Sequence, residues 1–251
     1  MGFKPRYSES ELNQIAEQVG QRVGWDFSTM HTLREPVPWD YLTVVRKYLR
    51  PTDSVVDLGT GGGERLLELQ SDVSELLGID PDGEMIGRAR RLAAKERLSN
   101  VRFEVGTGTN LNREFDVVLN RHAPFNPEMV KELLVDDGYF VTQQVGHRNM
   151  ANVRVAFQLE AEDAAPVSVQ QFLDVGLDVE RFEEYNVSYT ILDVESLVFW
   201  LQALDVAHSD FVGFNAERDT EAINRLLDSS LTSQGVETNE HRFLLVARNR
   251  S

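Results

Sequence analysis

The sequence predicts an open α/β fold on a mostly parallel sheet, and three observations carry that prediction. From residue 54 onward, short apolar runs alternate with segments of helical periodicity. The first run, Val55-Val56-Asp57-Leu58, breaks at once into the turn Gly59-Thr60-Gly61-Gly62-Gly63. The second, Leu76-Leu77-Gly78-Ile79, ends in the acidic Asp80. Strands separated by helices form right-handed βαβ units, and their carboxyl ends gather around one crevice.

The elements follow in order. Residues 8–23 place Leu12, Ile15, Ala16 and Val19 at helical spacing, with Ser8 and Glu11 set as a capping box. Gly24-Trp25-Asp26-Phe27-Ser28 interrupts this helix. Pro36 and Pro38 lead into a second helix near 40–48, closed by Pro51. Strands are predicted at 54–58, 75–79, 101–105, 115–119 and 139–145, with helices near 62–70, 82–96 and 126–134. Helices near 147–160 and 168–174 and an extended stretch at 179–190 come next. Helical patterns near 193–205 and 216–230 precede a last strand at 241–248.

Composition bounds the function. The 251 residues suffice for one large α/β domain with embellishments, or for two small domains. No apolar run is long enough to span a bilayer, and the segment Met1-Gly2-Phe3-Lys4-Pro5-Arg6-Tyr7 lacks the apolar core of a signal peptide. The absence of cysteine excludes disulfides and a thiol nucleophile. These features predict a soluble cytoplasmic protein with no membrane partner. The net charge of -16 opposes nucleic acid as a partner, because phosphate backbones are bound by clustered cations. Arg88, Arg90, Arg91, Lys95 and Arg97 do cluster, but their spacing predicts the solvated face of a helix. Only Lys4, Lys47, Lys95 and Lys131 are lysines, a bias compatible with a saline habitat or with simple solubility. His31, His122, His147, His208 and His241 are scattered without metal-ligand spacing, so no metal site is expected.

The glycine spacing selects the ligand. A dinucleotide turn wants glycine at 59, 61 and 64, yet position 64 is Glu64, a carboxylate where a pyrophosphate would sit. Glycines at 59, 61 and 63 after Asp57 suit a nucleoside without phosphate that carries a cationic amino acid group.

Asp57-Leu58-Gly59-Thr60-Gly61-Gly62-Gly63, with Ile79-Asp80, resembles the first motif and the ribose-binding acid of class I S-adenosylmethionine-dependent methyltransferases, over about residues 51–146. The resemblance implies a Rossmann-like, mostly parallel seven-stranded sheet with helices on both faces, a helical N-terminal cap and a C-terminal insertion. The expected boundaries are 1–50 for the cap, 51–190 for the core, 191–240 for the helical insertion and 241–251 for a final core strand. The expected cofactor is S-adenosylmethionine, with S-adenosylhomocysteine as product. Gly59, Thr60, Gly61 and Gly63 would approach its methionyl part, and Asp57 its amino group. Asp80 would take the ribose hydroxyls, with Pro81 near the adenine. Thr107, just after Gly106, stands where relatives carry an adenine-contacting acid, so a backbone or hydroxyl contact is expected there.

The fourth strand runs into Asn120-Arg121-His122-Ala123-Pro124-Phe125. Its Asn and Pro resemble the Asn-Pro-Pro-aromatic motif of amino-group methyltransferases, but Arg121 and His122 break the pattern. Asn120 and Arg121 are expected near the cofactor, and His122 as a general base, since imidazole titrates near neutral pH. A loop histidine with only a hydrogen-bonding role is the alternative. Trp25 and Phe27 are expected to border the substrate or simply to pack the cap. Gln143, Gln144 and His147 are expected at the substrate, although strand alternation sends only one of the two glutamines inward.

The expected reaction is methyl transfer to an oxygen or nitrogen of a small-molecule acceptor. An RNA-base methyltransferase, a nicotinamide oxidoreductase and a binding module without catalysis remain the rivals. A basic rim from Arg34, Arg121 and Arg148 would favour the first of these.

Overall fold

A computed structural model describes residues 2–20, 27–109, 111–159, 168–203 and 213–250. Along the chain the elements are α1 (Glu9–Val19), β1 (Thr32–Arg34), α2 (Tyr41–Val45) with a 3-10 turn (Arg46–Tyr48), β2 (Ser54–Leu58) and α3 (Glu64–Leu67). They continue with β3 (Glu75–Asp80), α4 (Gly83–Lys95), β4 (Val101–Val105), β5 (Phe115–Arg121), α5 (Pro127–Glu132) and β6 (Leu134–Val145). The remainder are α6 (Ala151–Ala156), α7 (Val169–Asp174), β7 (Leu177–Ile191), α8 (Val194–Ala203), α9 (Ala216–Ser230) and β8 (Val236–Asn249). Among the described residues no helix is long and apolar enough to cross a membrane.

The strands form one sheet in the order β1-β7-β8-β6-β5-β2-β3-β4. Pairs β2–β3, β2–β5, β3–β4 and β5–β6 are parallel, while β6–β8 and β1–β7 are antiparallel. The sheet has eight strands rather than the expected seven. The addition is β1, three residues pairing Thr32–Arg34 with Tyr189–Ile191, too short to show a period in sequence.

Strands β5 and β6 are among those that run longer than their apolar runs. Strand β5 continues through Asn120 because that buried amide is satisfied inside the sheet, donating from Nδ2 to the Leu58 carbonyl at 2.9 Å. Strand β6 starts at Leu134, where Asp136-Asp137-Gly138 suggests a turn. The pairing instead absorbs these residues in an irregularity between Phe115 and Val117, with Asp137 at φ 65.

The chain divides into two compact units. One comprises Met1–Val37, His147–Ala164 and Tyr185–His241; the other comprises Pro38–Gly146, Ala165–Glu184 and Arg242–Ser251. In the first, the capping box of α1 is present, with the Ser8 amide donating to Glu11 Oε2 at 2.8 Å. Leu12, Leu197, Val198, Leu201, Ile223 and Leu226 are fully buried there between α1, α8 and α9. In the second, Val56, Leu77, Val118 and Phe140 lie in register across four adjacent strands. Phe140 stacks on Phe172 of α7 at 5.8 Å, and Phe125 meets both rings.

Strand β2 is central to the second unit. The chain steps from β2 to β3 and β4 on one side, then returns to β5 on the other. That reversal makes the carboxyl ends of β2 and β5 the topological switch point, where open α/β sheets bind ligands.

Candidate active site

The glycine turn that leaves β2 is fastened to the end of β3. The amides of Gly59 and Thr60 both donate to the Ile79 carbonyl, at 2.8 and 2.9 Å. The Gly61 amide donates to Asp80 Oδ2 at 2.8 Å, and the Asp82 amide to Asp80 Oδ1 at 2.9 Å. Each carboxylate oxygen of Asp80 therefore keeps one lone pair, a spacing suited to a vicinal diol.

Two glycines are required by their surroundings. Gly59 has φ +80, and a Cβ there would overlap the Cβ of Ala123 after β5. Gly63 has φ +79 and would bring a Cβ within 2.7 Å of the Phe103 ring. Both therefore hold a left-handed backbone that L side chains rarely adopt. Glu64, at the first position of α3, pairs with Arg88 of α4 at 2.8 Å. Arg90 donates to the Phe103 carbonyl at 2.7 and 3.0 Å, so two of the clustered cations on α4 serve the fold.

Asp57 lies beneath this turn. Burial pushes its carboxyl up to about 6; Thr60 and Arg121 act against that shift, and Asp80 adds to it. The residue keeps some exposed surface, so water moderates the effect without changing its sign. Thr60 Oγ1 is buried without a well-formed hydrogen bond, although it lies near enough to Asp57 to favour the charged carboxylate. Pro81 is exposed just beyond Asp80. After β4, the Gly106 amide donates to the Asp80 carbonyl at 3.0 Å, and the Thr107 and Thr109 hydroxyls meet at 3.1 Å.

At the end of β5, Asn120 is wholly buried and its side chain is committed to the sheet. Besides the Leu58 carbonyl it meets Thr142 Oγ1 at 3.3 Å and Gln144 Nε2. Gln144 Nε2 also lies within reach of Thr142 Oγ1 and the Ala123 carbonyl. Gln143 is buried as well, accepting at Oε1 from the Trp39 indole N–H at 2.8 Å and presenting Nε2 to His122 Nε2 at 3.1 Å. Both glutamines therefore reach the end of β5.

Arg121 is half-buried, and its guanidinium has no hydrogen bond or ion pair among the described residues. Burial and the nearby Arg65 and Arg242 lower its pKa, while Tyr41 and Asp57 favour its charge. His122 sits in the left-handed region at φ 57, with its amide donating to the Gln143 carbonyl at 3.0 Å. Burial and the charges of Arg121 and Arg242 hold its imidazole well below the usual histidine range. The residue as a whole is exposed, so water screens part of this, but all three influences share one direction.

Sequence reasoning missed Trp39, Tyr41 and Arg242. Tyr41 is buried beside this site and donates to the Val141 carbonyl at 3.1 Å. The run Pro38-Trp39-Asp40-Tyr41 signalled a helix start, and Asp40 does cap α2, accepting from the Thr43 amide at 2.9 Å. Two aromatics flanking that cap were the available sign of a buried site wall.

Other expected residues fall in the first unit. Phe27 meets Phe199 of α8 edge-on at 6.3 Å. His147 meets His241 edge-on at 5.4 Å. Trp25 lies outside the described residues. The same unit holds an unforeseen pair, His31 Nδ1 and the buried Asp193 Oδ2, 2.6 Å apart.

Residues 49–171 match the family described as "Methyltransferase domain". The chain carries a methyltransferase domain. That domain contains the glycine turn, Asp80 and the whole end of β5. Over 102 residues the chain is 30% identical to "Uncharacterized methyltransferase YcgJ" of Bacillus subtilis, covering 37% of this chain and 40% of that protein. It is 31% identical over 117 residues to "Ribosomal protein L11 methyltransferase" of Staphylococcus epidermidis, covering 41% and 36%. The chain thus spans about two fifths of the length of these curated relatives. The crystal structure of YcgJ superposes with a TM-score of 0.62 at 19% identity, over 84% of this chain and 98% of that one. A protein of unknown function from Deinococcus radiodurans superposes at 0.63 and 17% identity, over 96% and 99%. These two structures establish the Rossmann-like methyltransferase fold around the domain.

Proposed function

We propose that the chain transfers a methyl group from S-adenosylmethionine to an oxygen or nitrogen of a small-molecule acceptor. One observation carries this reading: the Gly61–Asp80 hydrogen bond closes the glycine turn and leaves one lone pair free on each Asp80 oxygen, with the Asp57 carboxylate close by. The lone pairs left on Asp80 suit ribose hydroxyls.

When bound, S-adenosylmethionine supplies the electrophilic methyl group and its leaving group. The chain supplies placement. Gly59, Gly61 and Gly63 let the backbone approach, Asp57 attracts the ammonium, and Asp80 orients the ribose. Pro81, Gly106 and Thr107 border the base, while Arg121 and His122 meet what arrives at the end of β5. Asn120 acts through the sheet that holds Arg121. Of the arginines named for the nucleic-acid alternative, Arg34 pairs with Glu240 at 3.1 Å and Arg148 Nη2 lies 3.3 Å from His241 Nε2, which leaves Arg121 as the one without an ion pair among the described residues.

Calorimetric titration tests this reading with S-adenosylmethionine, S-adenosylhomocysteine and nicotinamide cofactors, against wild type and Asp80→Ala. Both sulfur nucleosides should bind, and the mutation should weaken them roughly tenfold to a hundredfold, the worth of hydrogen bonds to a charged group. Absence of binding by both would overturn the proposal, and tight nicotinamide binding would put an oxidoreductase in its place.

A further inference from the structure

We propose that Arg121 and His122 form a carboxylate-binding station at the carboxyl end of β5, in which both side chains act as hydrogen-bond donors. The setting rests on the methyltransferase reading, and the donor assignment on hydrogen bonds between named side chains.

The bonding pattern fixes the state of His122 through its neighbours. An indole N–H can only donate, so the Gln143 atom 2.8 Å from Trp39 Nε1 is the amide oxygen. The other end of that amide is then a pure donor, and it lies 3.1 Å from His122 Nε2. A donor needs an acceptor, so Nε2 carries the lone pair and the ring proton sits on Nδ1. Protonating the ring would set N–H against N–H. Burial and the cations Arg121 and Arg242 oppose the imidazolium in the same sense. Among the described residues Nδ1 has no protein partner, so the imidazole keeps an N–H for an incoming group.

Arg121 adds the charge. Its five N–H donors have no hydrogen-bond partner among the described residues, and the nearby Arg65 and Arg242 repel it. Tyr41 and Asp57 favour that charge, but burial and the two arginines outweigh them, so a half-buried cation there gains from a further anion. A carboxylate matches both the planar fork of a guanidinium and a single imidazole N–H.

This arrangement conflicts with the general-base role that the sequence suggested. The lone pair on His122 Nε2 is taken by Gln143, and Nδ1 already holds its proton. A carboxylate acceptor needs no base, because it is already anionic at neutral pH. The carboxylate has two candidate sources, the methionyl end of the cofactor and the acceptor itself.

The test uses the full chain with 15N-labelled imidazoles, followed from about pH 5 to about pH 8, beside Arg121→Gln. His122 should show a protonated Nδ1 and a bare Nε2 throughout. An Nε2–H tautomer, or an imidazolium near neutral pH, would overturn the proposal. Arg121→Gln should melt no lower than wild type, because it removes an unpartnered cation; a large fall in Tm would make Arg121 structural and overturn the station. If the cofactor supplies the carboxylate, Arg121→Gln weakens S-adenosylhomocysteine roughly tenfold or more and leaves 5′-methylthioadenosine, which lacks the amino acid, unchanged. If the acceptor supplies it, benzoate added to protein saturated with S-adenosylhomocysteine shifts the His122 Nδ1 signal in wild type but not in Arg121→Gln. Neither response would sink the station. Failure of both nucleosides to bind would sink the methyltransferase reading instead, and benzoate added to the protein alone would then judge the station.

Discussion

The backbone of Gly59 lies so close to Ala123 that a Cβ on Gly59 would overlap the Ala123 Cβ. This contact joins the turn after β2 to the end of β5, the two sides of the topological switch point. Gly59→Ala should combine left-handed strain with a steric clash, lowering stability by about 1–3 kcal/mol. It should also displace the turn that faces the ligand. A thermal melt and a titration with S-adenosylhomocysteine would both register the change. An unchanged melt would show that Ala123 can retreat without cost.

Asp57 predicts two pH dependences of opposite use. Its carboxyl, pushed up to about 6, binds a proton more tightly in the folded chain than in the unfolded one. Stability therefore falls as pH rises from about 4 to about 6, by at most about 3 kcal/mol before water screening is deducted. Attraction for a ligand ammonium runs the other way and weakens as pH falls below about 6. Asp57→Asn should flatten both curves, read by urea unfolding and by S-adenosylhomocysteine titration across that range.

Asp193 should contribute with the ordinary carboxylate sign. Burial raises its pKa, but the hydrogen bonds from Ser196 and His31 outweigh burial and leave it lowered. Its stabilisation is present above the unfolded carboxylate range, near pH 4, and disappears as pH falls through the native value. Asp193→Ala also removes the 2.7 Å bond from the Ser196 amide, so a loss of about 1–2 kcal/mol is expected near neutral pH. Chemical unfolding at two pH values separates this from a general packing defect, since only the carboxylate contribution fades in acid.

Phe172 of α7 is fully buried against Phe140 and Phe125. Phe172→Ala should cost about 3–5 kcal/mol by transfer and cavity terms together. Equilibrium denaturation would show it as a lower midpoint with little change in slope. A loss below about 1 kcal/mol would mean that the site refills.

Much of the core was legible because its signals are local. Strands β2 and β4 fall where their apolar runs lie, and Ser8 with Glu11 announces the start of α1. Asn120 was harder, since a polar residue reads as a strand end until a neighbouring carbonyl is known to satisfy it. The tautomer proposed for His122 was not legible at all, because it depends on Trp39 and Gln143, the first of them far away in the chain.

By itself the sequence determined the parallel α/β order, the glycine turn between Asp57 and Glu64, and the acid at the end of β3. Each is a consequence of backbone sterics and periodicity within a few residues. Only the tertiary structure decided that Asp80 closes the glycine turn, that Thr60 stands beside Asp57, and that the Gln143 amide faces His122 Nε2. Those properties are hydrogen-bond assignments between segments, and a donor's partner is set by where the chain returns, not by what stands beside it in sequence.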